Sequence, residues 1–541
     1  MPQQLSRAAR ICLIAVTIIG LSAPAFAQPP AATPATPVAP VQPAGLAQPL
    51  SLEEAVKLAL ENNLNVRVER INPALQDLSI AQARTAWTPN LTSTVRNGRT
   101  VSPVTSFLAG ASGELTRDSF LANVGANQLL PWGANYTVVW DVARSKSNSV
   151  YDSPNPSIAS NLNFNFTQPL VRNREIDNAR QQLIVTKMNR EISDVSLRQT
   201  VLVTIRNVKY AYWNLKAAVA AQIVAQQSLD LAKESLRNNR SRVEIGTMAP
   251  IDIVEAEAEV ARRDEAAIVA ESTVRRAEDG LRTLILDPKS ATFWAVKFDL
   301  TDKPVFAPTT VDVEGAVKTA LERRTDLRSA RKNLEITEST IKFQRNQILP
   351  DVNAQAAYGV TGSGGTQFTF GSGGFPPPII GEIHEGVGSM LSRLLSNDFH
   401  SWSLMLNFSY PIGTGAADAT LARTRLQLSQ ARIQLQNLEL QVTSTVRDVA
   451  RQVETNQKRV VSTQATERLM TRRLEAEQKK YAAGMSTTFL VFQAQRDLSD
   501  ARYSALAALL NYNTSLVDLE TVQEAPTAGG SSISVGSSGG Q

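Results

Sequence analysis

Few residues of this 541-residue chain could carry chemistry, and those few are poorly placed for it. The two histidines, His384 and His400, fall in a glycine-rich stretch, 361–400, where a solvated loop residue is expected rather than a metal ligand or general base. The one cysteine, Cys12, lies in an apolar run with Arg7 and Arg10 before or within reach of it and Ala25-Phe26-Ala27 after it. That is the pattern of a secretory signal cleaved after Ala27, and it leaves a mature chain without disulfides, thiolate metal sites or cysteine nucleophiles. The glycines of 362–374 lack the lysine and helix that follow in a phosphate-binding loop, and no metal-ligand spacing or nucleophile motif occurs. No catalytic residue and no cofactor are therefore expected. What remains is a run of carboxylates, Asp252, Glu255, Glu257 and Glu259, just beyond a glycine turn. A solvated helix face is the plain reading of the three glutamates, and a charge-gating role is the alternative.

The elements that position those carboxylates come in two copies. Residues 52–91 align without a gap on 313–352, 261 positions later, so that Ala55, Val56, Lys57, Ala59, Leu60 and Glu61 return as Ala316, Val317, Lys318, Ala320, Leu321 and Glu322. Two units this long are a domain-sized duplication and not a short-period array. The expected organisation is a signal at 1–27, a proline- and alanine-rich linker at 28–50, repeat one at 51–300, repeat two at 301–524 and a glycine- and serine-rich disordered tail at 525–541. Loss of the signal lowers the formal charge from +5 to +3, and no basic block marks a nucleic-acid partner. No later segment offers eighteen consecutive apolar residues, so any membrane crossing must use strands.

Each copy predicts helix, strands, then helix again. Residues 176–244 and 417–483 carry apolar side chains in steps of three, four and seven, including Val208, Tyr212 and Leu215 in the first and Val442, Val446 and Val453 in the second. At 1.5 Å per residue each helix is roughly 100 Å long. Both break at a glycine, Gly246 and Gly484, suited to a left-handed C-cap, and a second helix returns from each. Two antiparallel hairpins with tips at the same end result.

Strands are expected at the other end. Residues 161–168 alternate Leu162, Phe164 and Phe166 with asparagines, and residues 401–410 alternate Trp402, Leu404, Leu406 and Phe408 with polar partners. Such segments fit a transmembrane barrel with a wet interior, and equally a soluble sandwich; the signal and the adjoining helices favour the barrel. Further strands are expected at 91–100, 120–129, 136–142 and 352–360. Pro89, Pro169, Pro350 and Pro411 mark the junctions of barrel and helix, where a proline ends helical bonding. Each half must carry an even number of strands to return to its helices. Repeat two has two, divided by the long loop 361–400; repeat one has four if Pro131-Trp132-Gly133 turns an additional hairpin.

So few strands cannot close a barrel within one chain, and an open edge in lipid leaves backbone groups unpaired, so several copies must assemble. At this point the chain resembles the TolC-like outer-membrane efflux proteins, over nearly all of its mature length. The resemblance rests on the duplication, the LEEAVKLALENN start, Trp87-Thr88-Pro89 and Ile348-Leu349-Pro350, Gln168-Pro169-Leu170 and Tyr410-Pro411-Ile412, and the two glycine tips. It implies an α + β membrane protein: a homotrimer with a transmembrane β-barrel and a long periplasmic α-helical barrel, built from two tandem structural repeats per chain. It also implies the outer membrane of a Gram-negative-type cell as location, and outer-membrane lipid, a periplasmic adaptor protein and an inner-membrane transporter as partners. The function it implies is the exit duct of a tripartite efflux or type I secretion system.

The resemblance further implies a periplasmic gate beyond the tips, placed at Asp252 and Glu255 of repeat one and Tyr481, Ser486, Leu490 and Gln493 of repeat two. Repeat two departs from the family pattern, since Leu490 and Gln493 stand opposite Asp252 and Glu255 and Ser486 stands where an arginine is expected. An acidic ring would then come from Asp252 and Glu255 alone. Gly246, Thr247, Met248, Gly484, Met485 and Ser486 are the expected adaptor contacts. Two rival classes remain: a general diffusion porin, which would be mostly strand, and a surface coiled-coil structural protein, which would have almost none.

Overall fold

Serine and aspartate open the equivalent first helices. Ser51 accepts from the Glu54 amide to start α1 (Leu52–Asn62), and Asp312 accepts from the Gly315 amide to start its counterpart. The computed structural model describes residues 48–103, 113–149, 152–290, 292–302, 306–374, 377–413 and 415–527. The expected signal, most of the proline-rich arm and most of the glycine-serine tail lie outside them. The arm's last residues are not linker: β1 (Gln48–Leu50) pairs in parallel with β6 (Phe298–Leu300). At the other end Ala525 is buried, its amide bonded to the Thr521 carbonyl, so packed chain continues past 524.

After α1 the chain runs through α2 (Leu64–Arg84), four strands, β2 (Asn90–Pro103), β3 (Glu114–Leu129), β4 (Asn135–Ser147) and β5 (Ser157–Pro169), then α3 (Asn178–Glu244) and α4 (Ile251–Ile285). The second copy runs α5 (Val313–Arg323), α6 (Thr325–Gln347), β7 (Asp351–Phe370), β8 (Ile379–Glu385), α7 (Val387–Ser396), β9 (His400–Ser409), α8 (Ala416–Ala482) and α9 (Thr488–Val522). Helices α3 and α8 are both 67 residues long, and α4 and α9 are both 35. Among the described helices none is long and apolar enough to cross a membrane.

The strands form one antiparallel sheet in the order β2-β3-β4-β5-β7, with β8 and β9 both on the far side of β7. Repeat one thus supplies four long strands, and the additional hairpin turns at Pro131-Trp132-Gly133. Register puts Leu91, Val95, Val124, Trp140, Leu162, Phe164, Tyr358, Trp402, Leu404 and Phe408 on one face. Thr92, Asn123, Asp141, Asn163, Gln355 and Asn407 take the other. One face suits lipid and the other water.

Residues 361–400 are not a plain loop. Strand β7 continues to Phe370, β8 pairs with that extension, and α7 lies across the apolar face with Met390 and Leu394 buried. The glycines make this possible: a Cβ on Gly362 would collide with the Met390 carbonyl oxygen, so the helix seats only where side chains are missing.

The helical end is cored where the two repeats' short helices meet the long ones. Tyr212 and Leu215 of α3 pack with Ala55, Ala59, Leu281, Ile285 and the β1–β6 pair, and the Tyr212 hydroxyl donates to the Leu50 carbonyl at 3.1 Å. Val442 and Val446 of α8 pack with Ala316, Val317, Ala320 and Leu327. Neighbouring long helices follow the order α4-α3-α9-α8.

Candidate functional site

Each tip begins where a long helix ends in a left-handed glycine. Gly246 has φ +76° and Gly484 φ +73°, with open space around both, so backbone geometry alone requires glycine there. The Thr247 amide donates to the Arg242 carbonyl at 2.9 Å and the Met485 amide to the Lys480 carbonyl at 2.9 Å, while the glycine amides donate to the Val243 and Tyr481 carbonyls, which satisfies two carbonyls at each helix end. Thr247 and Met485 are exposed and Met248 is half-buried.

The tips differ by one residue. Six residues, 245–250, separate α3 from α4, whereas five, 483–487, separate α8 from α9. Pro250 supplies the additional position, as the N-cap of α4. Helix for helix, Asp252 therefore stands against Phe489 and Glu255 against Phe492. The pairing with Leu490 and Gln493 is corrected by one place. An ungapped comparison carries its register across the turn and misses the shorter loop.

Asp252 sits in the first turn of α4, where a helix's positive end favours a carboxylate. Its Oδ1 accepts from the buried Thr488 hydroxyl at 2.9 Å, joining the first turns of α4 and α9, 236 residues apart. Its carbonyl accepts from the buried Asn239 side chain at 3.5 Å. Across the tip the Arg242 guanidinium lies 4.8 Å from the centre of the Tyr481 ring. Burial pushes the Tyr481 phenol up, Arg242 pulls against that, and Asp252 adds to it. The Tyr481 hydroxyl is buried and has no hydrogen-bond partner among the described residues.

Ser486 donates to the Glu477 carboxylate, whose neighbour Lys480 lies 3.4 Å away. The Ser486 bond holds Glu477 below the usual carboxylate range, against its own desolvation and with help from Lys480. Of the expected gate residues, Asp252 and Tyr481 are thus near neighbours and Ser486 lies with Glu477. Glu255 is exposed, as is Leu490, and Gln493 is half-buried beside the packed Phe492. Glu259 is not on a solvated face: it is 2% exposed and pairs with Arg263 at 2.9 Å. Its i,i+4 spacing to Arg263 was the only local sign of that. Thr488, Arg242, Asn239 and Glu477 were missed, because each acquires its role across the hairpin or between hairpins. The junction prolines stand at the changes of element: Pro89 and Pro350 directly before β2 and β7, Pro169 closing β5, and Pro411 two residues past β9.

The family described as outer membrane efflux protein matches residues 55–285 and 316–522, two segments that begin at the equivalent Ala55 and Ala316. No curated protein matches the chain. Among solved structures the fold is similar to that of the CmeC outer membrane channel of Campylobacter jejuni, at 16% identity and TM-score 0.62, covering 87% of this chain and 85% of that one. It is similar to the outer membrane protein VceC of Vibrio cholerae at 15% identity and TM-score 0.59, over 87% and 96%. It is also similar to the Neisseria gonorrhoeae MtrE outer membrane channel in its open state, at 18% identity and TM-score 0.58, over 88% and 89%. The two-repeat architecture, with a transmembrane sheet and a periplasmic helical extension, is that of these channels. The chain belongs to the outer membrane efflux protein family.

Proposed function

We propose that three copies of this chain close one exit duct, through which substrates delivered by an inner-membrane transporter pass passively across the periplasm and the outer membrane. The observation that carries the reading is that the protomer is open on both margins at both ends. Among the described residues the sheet's edges are β2 on one side and β9, with the short β8 beyond it, on the other, and their unpaired backbone groups cannot be left in lipid. In the helical end α4 and α8 are the margins. Leu426, Ile433 and Leu440 repeat every seventh residue along α8, and all are exposed. A heptad stripe of that kind is a seam awaiting another helix.

Six long strands from each of three chains give eighteen in a common barrel. Barrels of about 16–18 strands leave an aqueous channel, so the additional β3–β4 hairpin favours a wide pore. Efflux and type I secretion share this component, and the transporter would decide between them. The exposed tip residues Gly246, Thr247 and Met485, with Met248, Gly484 and Ser486, are where a periplasmic adaptor would dock.

At the entrance, Asp252 and Glu255 of three copies would gather six carboxylates around one axis, attracting cations electrostatically. Bilayer recordings test this. Divalent cations are expected to block current through the native channel from the tip side. Replacing both residues with alanine should weaken the block by about tenfold, the scale of removing roughly 1.4 kcal/mol of attraction. Unchanged block would remove the acidic ring from the account, and absence of any conductance would remove the duct.

A further inference from the structure

The outer wall of the barrel carries a charged row that neither the duct nor its entrance uses. Arg99, Asp118 and Lys146 are direct cross-strand neighbours on β2, β3 and β4, on the face that also presents Trp140, Leu162 and Phe164. Arg99 donates to both Asp118 carboxylate oxygens, from Nε at 2.6 Å and from Nη2 at 2.9 Å. Arg144 stands two residues along β4 on the same face, opposite Phe120. Arg144 and Lys146 are exposed, and neither makes a hydrogen bond or ion pair among the described residues. Three cations thus share one carboxylate.

Their height is informative. Arg99 lies eight residues beyond Leu91 on β2, and at about 3.3 Å per residue and a strand tilt of about 40° that is roughly 20 Å along the membrane normal. An outer-membrane barrel's apolar band is about 25 Å tall. The cations therefore stand near its upper border, where lipid phosphates lie.

A second feature marks the same level. Arg144 pairs with Ile158, and Ile158 with Gly364, against which Met390 of α7 is seated. The α7 helix buries Met390 and Leu394 against the wall and turns Val387, Leu391 and Leu395 outward, with Leu395 78% exposed. It is fixed there. Arg393 pairs with Glu385 at 2.5 Å, and the Tyr358 hydroxyl donates to Asn397 at the helix's left-handed C-cap at 2.7 Å. An amphipathic helix with its leucines facing outward at this height is suited to acyl chains.

We propose that this wall is a binding seat for a phosphorylated acyl lipid of the outer leaflet. The phosphate is held by Arg99, Arg144 and Lys146, and the chains lie along Trp140, Leu162 and the outer side of α7. Pairing of β2 with a neighbouring copy uses backbone groups in the plane of the sheet, so Arg99 stays available in the assembled barrel. An acidic protein would match the charge but not the adjoining apolar wall and leucines. The seat depends on the barrel standing in an outer membrane, and not on gate, adaptor or pump.

Native mass spectrometry of the intact assembled protein with a diphosphorylated acyl glycolipid tests it. Combined R99Q, R144Q and K146Q should weaken retention by about a hundredfold, at roughly tenfold or less per cation near a lipid surface. Arg96→Gln, on the opposite face of β2, should leave retention unchanged, and the dephosphorylated lipid should bind the native protein as weakly as the diphosphorylated one binds the triple variant. Equal retention by the triple variant would overturn the seat. So would full competition by inorganic phosphate, which needs no wall, or by an acidic peptide. If the triple variant does not assemble, Arg144→Gln carries the test, since that side chain bonds to nothing among the described residues. Bilayer conductance of the variants reads the duct separately and should not change.

Discussion

The two helical hairpins have equal lengths and unequal surroundings. Helix α9 buries fourteen of its 35 residues and α4 only five. The buried set of α9 is rich in small side chains, Ala494, Ala501, Ala505 and Ala508, which let it settle between α8 and α3. Apart from the Asp252–Thr488 bond to α9 at the tip, helix α4 packs along α3 and α1 and leaves Val254, Ile268 and Val269 exposed. The duplicated elements have therefore divided their work: α9 is the interior of the protomer, while α4 and α8 are its margins among the described residues.

The largest expected effect breaks that division at a margin. Aspartate in place of Leu426, Ile433 and Leu440 removes three side chains worth about 1.5–3 kcal/mol each on burial, once at every interface of a ring. The protein should be recovered folded but monomeric by light scattering. Ala501→Asp, inside α9, should instead abolish the folded protomer, because it buries a charge with no partner.

A smaller effect asks whether the tips are as alike as their caps. Gly246→Ala and Gly484→Ala both force a side chain into a positive-φ position with free space around it. Each should cost about 1 kcal/mol, and the two should agree. Thermal unfolding checks this, and a much larger loss at one tip would mean that it is clamped by contacts the protomer lacks.

The smallest effect separates the tips by charge. Glu477 of α8 occupies the place that the uncharged Asn239 holds on α3, seven residues before each capping glycine. A carboxylate held below its ordinary range stabilises the fold above that range, and the benefit disappears as pH falls through the depressed value. Ser486→Ala should therefore lower stability at neutral pH and converge with the native protein in acid. Asn239→Ser in the other tip should show no such pH dependence.

What the sequence made legible followed from periodicity. Val208, Tyr212 and Leu215 announced the buried stripe of α3, and alternation at 161–168 and 401–410 announced strands and their faces. Parity left repeat one with two or four strands; Pro131-Trp132-Gly133 marked where an additional hairpin would turn, but nothing local decided that it forms. Less legible was everything set by contacts distant in sequence. Glycines 362 and 364 have loop composition, yet they form the groove that seats α7. Asp252 meets Thr488 across 236 residues, and no local pattern signals a hydroxyl donor at that distance. The one-residue difference between the tips was lost because similar residues continue on both sides of it.

The central claim is that equivalent margins meet in a closed ring of three. Strand β2 leaves the helices at Asn90 and β9 returns to them by Ser409, so Thr92 and Asn407 lie on the same polar face near the same end of the sheet. The sequence holds a single cysteine, Cys12, inside the expected signal, so a double variant Thr92→Cys with Asn407→Cys should oxidise without interference. Denaturing electrophoresis after oxidation in intact membranes should show a covalent trimer as the largest species, with dimer as its intermediate. Monomer alone, or a ladder continuing beyond three chains, would contradict the closed three-chain duct.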